Sequence, residues 1–507
     1  MERERASRIP TSHPAPCDMG KKSRRRRVPS SRHHRPFVGS CVPWVMLDRI
    51  AHRTKGGGDR VVRDEVADGT LSEISSTCTG KPIAVSLRVA EPPEVSRLYL
   101  HWPDGLRPEM RDVNRPTVIA AHGDSILFET YVPLDACGLS TTSYPIDYFV
   151  YTAPSRPKIG SPSLLWRLPT CFENGRVDAA MTDHYCKPYL SRDQRAMWRG
   201  NIGLLCRGDG GFTVANLAVG VQQPCLCLGE FSVLHHTPAE TEMKWEVKQL
   251  PAPVPCDGHD GPPNLLIGAR PCSWETDIVI PFEFDGRHFL CWVDLYLGLM
   301  FVDVTAKHPP PPRYARLPVE LDQRRLYIDA GAPDPARRVC VTDACIMQLI
   351  SINNDAGRSV LDRSCSAFSI STWTLELETM QWHKVVAIRS DKFWAAIDTD
   401  KRLPRLLPEF PTMSMVDPDD VCFTLEDRYH NFWLVNVDIK NKVLGAVALY
   451  INEEEEEEEG CTAGVFYGNS FITSQFTRYM DKDAIKSLEM SKKLQRAKQE
   501  RVMEKMD

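Results

Sequence analysis

The chain has 507 residues, of which 42% are apolar and 25% charged, a balance that excludes a wholly disordered polymer and leaves ample material for a core. A formal net charge of -5 gives the molecule as a whole no electrostatic ground for gripping nucleic acid or a membrane surface. Thirty-nine prolines and 30 glycines exclude a protein of long helices, and no apolar run reaches the roughly 18 residues of a membrane span. Seventeen cysteines, an odd number spread from Cys17 to Cys461 and following no apolar signal core, fit reduced thiols in a cytoplasmic or nuclear protein. An Arg- and Ser-rich organelle transit peptide is the other reading of the N-terminus.

Residues 1–40 hold eleven Lys or Arg against three acids and show no apolar periodicity, which predicts a disordered basic tail. Its run from Lys21 to Arg27 reads as a solvated tail, a nuclear import signal or a contact for a polyanion such as nucleic acid. Residues 41–80 form an opening segment and a polar linker. Gly56 to Gly58 there lack the Gly-Lys-Ser/Thr ending of a phosphate loop, so a flexible linker is expected.

From 81 to 450 the texture becomes short apolar or alternating runs between turn signals. Ile83 to Val89 and Val95 to Trp102 alternate, and Thr117 to Val132 reads as two strands joined at Gly123 and Asp124. Asp147 to Tyr151, Gly203 to Leu205 and Phe212 to Leu217 continue the pattern. Asp277 to Val304 reads as a three-stranded meander turning at Asp285-Gly286 and Gly298. Beyond the proline run Pro309 to Pro312 come strand-like runs at Val339, Cys345, Ala367, Trp382, Phe393 (FWAAI), Val421, Phe432 and Val443.

About two dozen strands without long helices allow a sandwich, a pair of barrels or a β-propeller. An all-β propeller accounts best for strands with continuous apolar stretches, because each sheet is then buried on both faces. At about four strands per blade the count gives about six blades. The tryptophans Trp102, Trp166, Trp245, Trp292, Trp373, Trp382 and Trp433 recur along these strands at irregular intervals. Residues 451–463, which contain Glu453 to Glu459, are expected to form an acidic loop, and 464–480 a closing strand region. Residues 481–507, with Ile485, Leu488 and Leu494 on one stripe, are expected to form a short charged helix.

WVDLYLGLMFVDV, Trp292 to Val304, preceded by FEFDGRHFLC and followed by RLPVE at Arg316 to Glu320, resembles the plant domain-of-unknown-function family numbered 1618, which is greatly expanded in grasses. WVMLDRIAHRT (Trp44 to Thr54), DYFVYTA, SLLWRLP, VANL, STWTLELETMQWHK, LPEFPTMSMVDPDDVCFTL and FWLVNVDIKNKVLGAVALY are similar to other parts of it. The likeness covers most of residues 44 to 450, with the family core at about 290–430. The family has no assigned activity, so the resemblance implies no catalytic residue. The basic N-terminus, the glutamate run and the Lys-rich C-terminus depart from its pattern.

GDSIL, Gly123 to Leu127, is the sharpest catalytic motif, since one class of esterases places its nucleophile in Gly-Asp-Ser and a downstream Asp-x-x-His occurs at Asp427 and His430. Such an enzyme needs Ser125 exposed at a strand-to-helix turn, whereas Ser125 here leads into a strand. The close pairs Cys225 with Cys227, Cys340 with Cys345, His33 with His34 and His235 with His236 lack a second pair at zinc spacing. Asp294 and Asp303 are expected to bond local backbone at turns and strand ends. With no complete catalytic set and no cofactor or metal site in view, the chain reads as a non-enzymatic protein-interaction scaffold that holds a partner in the loops of one face. A serine esterase using Ser125 and a nuclear regulatory protein are the alternatives.

Overall fold

The structure, a computed structural model, describes residues 42–53, 70–102, 115–132, 146–153, 163–171, 197–208, 210–223, 226–239, 242–250, 274–319, 335–354, 367–451 and 470–480. The basic segment 1–40, Gly56 to Gly58, Glu453 to Glu459 and the helix expected over 481–507 lie outside these residues.

Within residues 41–507 the strands form six sheets. Sheet one takes β1 (Val45–Leu47), β2 (His52–Arg53), β3 (Ser75–Ser76), β4 (Pro82–Arg88) and β5 (Val95–His101). Sheet two is β6 (Thr117–His122), β7 (Ser125–Tyr131), β8 (Ile146–Thr152) and β9 (Leu164–Arg167). Sheet three follows with β10 (Ile202–Gly208), β11 (Gly211–Gln223), β12 (Leu226–His236) and β13 (Trp245–Gln249). Sheet four holds β14 (Ile278–Phe284), β15 (Arg287–Asp294), β16 (Gly298–Val302) and β17 (Arg313–Arg316). Sheet five is β18 (Arg337–Val341), β19 (Met347–Asn354), β20 (Phe368–Glu376) and β21 (Gln381–Arg389), followed by helix α1 (Ser390–Ile397). Sheet six is β22 (Glu409–Met413), β23 (Asp420–Glu426), β24 (Phe432–Asp438) and β25 (Val443–Leu449), after which β26 (Ile472–Ser474) returns to sheet one. Sheets two to six are antiparallel meanders in chain order.

Alternation of side chains along the strands builds the ring. Leu290 and Trp292 of β15 pack with Ala215, Phe231 and Val233 of sheet three, while Phe289, Cys291 and Val293 on the other face pack with Val339 and Leu349 of sheet five. A strand buried on both faces must be apolar throughout, which is why this stretch reads as a continuous hydrophobic run. The same arrangement joins sheets one and two, two and three, and five and six. A sixth core sets Cys422, Leu434 and Ala448 of sheet six against Trp44, Met46 and Val95 of sheet one, closing the circle. The protein is a six-bladed β-propeller.

Closure uses both ends of the described fold. β26 pairs antiparallel with β1, with Val45 opposite Ser474, and β1 and β2 each run parallel to β5. Sheet one is thus the irregular member of an otherwise repetitive ring.

One local expectation is corrected. FWAAI at Phe393–Ile397 is the body of α1, not a strand: Phe393, Ala396 and Ile397 are buried and lie on one helical face. The three-stranded meander over Asp277–Val304 gains a fourth strand, β17, beyond the proline run. Gly298 opens β16 because space demands it. A Cβ there would lie 2.5 Å from the Ala315 carbonyl oxygen and 2.7 Å from the Tyr314 hydroxyl.

Candidate functional site

In sheets two to six the first strand borders the first strand of the adjoining sheet, so these strands surround the axis, and the turns that follow them gather at one end of the ring. The β6–β7 turn brings His122, Gly123, Asp124 and Ser125 against the end of β10. The Cys206 backbone N–H donates to His122 Nδ1 at 2.9 Å, and Cys206 Sγ donates to Asp124 Oδ1 at 2.9 Å. Ser125 Oγ donates to the same carboxylate oxygen at 2.8 Å and lies 3.3 Å from Thr152 Oγ1. Gly123 adopts φ 54°, and a Cβ on it would lie 2.9 Å from Cys206 Cβ and Sγ, so the turn tolerates only glycine.

Burial fixes the protonation of this cluster. Removal from water pushes the His122 pKa down to about 4, and because Nδ1 accepts a backbone hydrogen bond, the neutral ring carries its proton on Nε2. Burial first, and then the bond to Asp124, raise the Cys206 thiol to about 11. That thiol is therefore protonated at neutral pH, the opposite of a nucleophilic cysteine. Ser125 has 0% exposure and presents no surface from which to attack an ester.

Around this cluster lies a rim of ordered turns. The Asp343 N–H donates to the Met415 carbonyl at 2.9 Å, joining the first turns of sheets five and six. Arg478 Nη2 pairs with Asp343 Oδ2, and Arg478 Nε donates to the Pro43 carbonyl at 3.1 Å. Ser414 Oγ accepts from the backbone of Val416 at 3.2 Å and of Asp417 at 3.1 Å. Three apolar side chains stand out on this rim: Ile346 is 39% exposed, Val416 50% and Tyr479 46%.

The other residues singled out in the sequence lie elsewhere. Asp294 Oδ1 accepts from the backbone of Tyr296 at 2.9 Å and Leu297 at 3.0 Å, and Oδ2 from Glu275 at 2.9 Å. Asp303 Oδ1 accepts from the Thr305 and Ala306 backbones at 3.2 and 3.1 Å. Both carboxylates are consumed in shaping sheet four. Asp427 and His430 sit in the β23–β24 turn of sheet six, at the end of the ring away from Ser125. Among the described residues no group of three or more His, Cys, Asp or Glu side chains is arranged to hold a metal ion. Cys225, His33 and His34 lie outside them.

Sequence reading missed one polar constellation, at the closure between sheets six and one. The Tyr450 hydroxyl donates to Asp48 Oδ2 at 2.8 Å, Arg97 Nε stands 3.7 Å from that oxygen, and Arg97 Nη2 donates to the Ile451 carbonyl at 2.6 Å. Against the upward pull of burial, His52, Arg97 and Tyr450 hold the Asp48 carboxyl below its ordinary range. The partners lie too far apart in sequence for any local pattern to connect them.

Residues 292–422 match the family described as Protein of unknown function (DUF1618), which supports the kinship carried by the Trp292 to Val304 block. No curated protein matches the chain significantly. Solved structures similar to it include a provisionally assigned 6-phosphogluconolactonase from Bacteroides fragilis, at 10% identity and a TM-score of 0.29, with 81% of this chain and 95% of that one covered. A xylan β-1,4-xylosidase from Bacillus halodurans shares 10% identity at 0.26, and this chain spans 56% of its length while 63% of this chain is covered. A levansucrase from B. megaterium shares 10% identity at 0.26, over 80% and 97% of the two chains. Their scores are too low for activity, substrate or site to carry over to this chain.

Proposed function

We propose that this protein is a non-enzymatic interaction scaffold that docks a protein partner on the end of the propeller bearing the first turns of its sheets. One observation carries the reading: Ile346, Val416 and Tyr479 project apolar surface from turns held in place by the Asp343–Met415 and Asp343–Arg478 contacts. Apolar side chains on a preorganised rim bind without a large ordering cost. The polar groups beneath them, at His122, Asp124 and Ser125, are tied into the fold. A reducing setting, cytoplasmic or nuclear, suits it, since Cys206, Cys291, Cys340, Cys345 and Cys422 are free thiols.

Affinity purification from native tissue with the intact protein and with an Ile346→Asp/Val416→Asp variant tests this reading. The intact protein is expected to retain specific partners that the variant loses while keeping the same circular dichroism. A folded intact protein that purifies alone, or identical partners on both, would overturn it.

A further inference from the structure

The outermost strand of a sheet leaves a row of backbone N–H and C=O groups unpaired on its outer side, and proteins keep such edges short or guard them with charge. In this ring β9 and β17 have four residues and β13 five, whereas β21 has nine. Among the described strands β21 pairs with β20 alone, and among the described residues nothing else bonds its backbone from Gln381 to Ile388. Gln381, His383, Lys384, Val385, Ala387 and Arg389 are exposed, so water has access to the edge along its length. β25 is also long, at seven residues, but carries no charged side chain by which to choose a partner.

A bulge gives the β21 edge its chemistry. Trp373 lies opposite Lys384 and Thr372 opposite Val386, so Val385 is an extra residue without a counterpart on β20. Lys384 and Arg389 are five residues apart, and in a regular strand they would point to opposite faces. The extra residue brings them to the same one. Trp373 and Leu375 face sheet four and Ile370 faces sheet six, which puts Lys384, opposite Trp373, and Arg389, opposite Ser369, on the face toward sheet four. Lys384 Nζ accordingly stands 5.3 Å over the Trp373 ring. On the other face His383 and Glu376 lie 3.6 Å apart and answer each other. Within β21 there is no acid, and Asp391, 3.8 Å from Arg389 Nε, makes only an exposed pair of little strength.

Lysine and a bulge guard an edge against indiscriminate pairing, and here they also select. A strand added to β21 turns every second side chain toward the face that carries Lys384 and Arg389, and acids at those positions are complementary to both. We propose that the free edge of β21 accepts an extended segment of a partner protein with acidic residues at alternate positions. The segment becomes a fifth strand of sheet five: its backbone fills the open hydrogen bonds and its carboxylates meet the two cations. This edge does not involve Ile346, Val416 or Tyr479 and stands independently of the docking surface proposed there.

The test titrates the full-length protein with a fluorescently labelled peptide of alternating threonine and glutamate, as long as β21. Its relatives carry lysine for glutamate, or the same composition with the glutamates divided between the two faces, or N-methyl groups at every threonine or at every glutamate. Saturable binding of the parent peptide is expected, with the lysine and divided peptides weaker by about tenfold or more. N-methylation in the phase whose N–H groups point at β21 should abolish binding, and in the other phase spare it. A Lys384→Glu/Arg389→Glu variant should lose about tenfold, while Lys401→Glu/Lys442→Glu and Ile346→Asp bind as the intact protein does. No saturable binding by a protein with an intact thermal transition, equal effects of the two N-methylation phases, or undiminished binding by the folded Lys384→Glu/Arg389→Glu variant would each overturn the proposal. Sedimentation of the protein alone as a dimer that this variant abolishes would assign the edge to a second copy and overturn it as well.

Discussion

His122 shows how far a single side chain depends on neighbours distant in sequence. Its Nδ1 is held by the Cys206 backbone, 84 residues away, and burial lowers its pKa from 6.5 to about 4. Between those values the unfolded chain binds a proton that the folded chain does not, so stability rises with pH across that window and is lost as pH falls from 6.5 toward 4. The slope is about 1.4 kcal/mol per pH unit for one such histidine. His101, likewise lowered to about 4 by burial, adds to it, while Glu129 and Asp147, raised by burial, run the other way. A His122→Asn variant isolates the one residue, since its amide oxygen can still accept from Cys206. Urea unfolding at pH 7 and pH 5 is expected to show a stability loss on acidification smaller by about 2 kcal/mol than that of the intact chain; an unchanged loss would mean that His122 is charged in the fold. Of this site the sequence displayed the Gly123-Asp124 turn, because backbone chemistry at a tight turn is local. The bonds to Cys206 and Thr152 depend on which strands become neighbours, and no spacing announces that.

Among the elements, strands were legible where both faces are buried and obscure where burial is thin. β15 and β16 declare themselves because Leu290, Trp292, Met300 and Val302 face one neighbour while Cys291, Val293, Leu299 and Phe301 face the other. In β17 only Ala315 is buried, so Arg313–Arg316 carries no strand signal and is recruited by pairing with β16. α1 was misread because a short aromatic and aliphatic run suits a strand and a helix equally; what decides it is the spacing of Phe393, Ala396 and Ile397, with Asp391 favourably placed in the first turn. The helix wedges sheet five to sheet six through Phe393, whose ring centroid lies 5.6 Å from that of Phe368 and 5.3 Å from that of Phe423, nearly perpendicular to the latter at 83°. Phe393→Ala is therefore expected to cost about 3–5 kcal/mol and Phe393→Leu much less. Thermal and urea midpoints check this. A loss below about 1 kcal/mol from the alanine variant, small by the standard of buried phenylalanines, would show that α1 does not support that interface.

At the scale of the molecule, blade number followed from counting strands, but closure did not. A meander repeats a local rule four strands at a time, whereas sheet one combines a parallel pairing of β1 with β5 and an antiparallel pairing of β1 with β26 that joins the two ends of the fold, and Asp48 meets Tyr450 across 402 residues of chain. The segment that completes the ring is short. β26 supplies three residues, yet Ile472 and Phe476 enter the core between sheets one and two, Phe471 enters the core between sheets six and one, and Arg338 of sheet five bonds the Phe471 carbonyl at 2.9 Å and Ser470 Oγ at 2.6 Å. Three large apolar side chains at about 1.5–3 kcal/mol each amount to about 5–9 kcal/mol, comparable with the whole net stability of a typical protein, about 5–15 kcal/mol. A chain ending at Asn469 is thus expected to lose cooperative unfolding in urea, followed by tryptophan fluorescence, and one ending at Met480 to keep it. The contrast separates closure from mere shortening, because the longer form restores β26, Phe471, Phe476, the Arg338 bonds and the Arg478–Asp343 pair. Equal midpoints for the two forms would mean that the six sheets hold together without the strand that joins their ends.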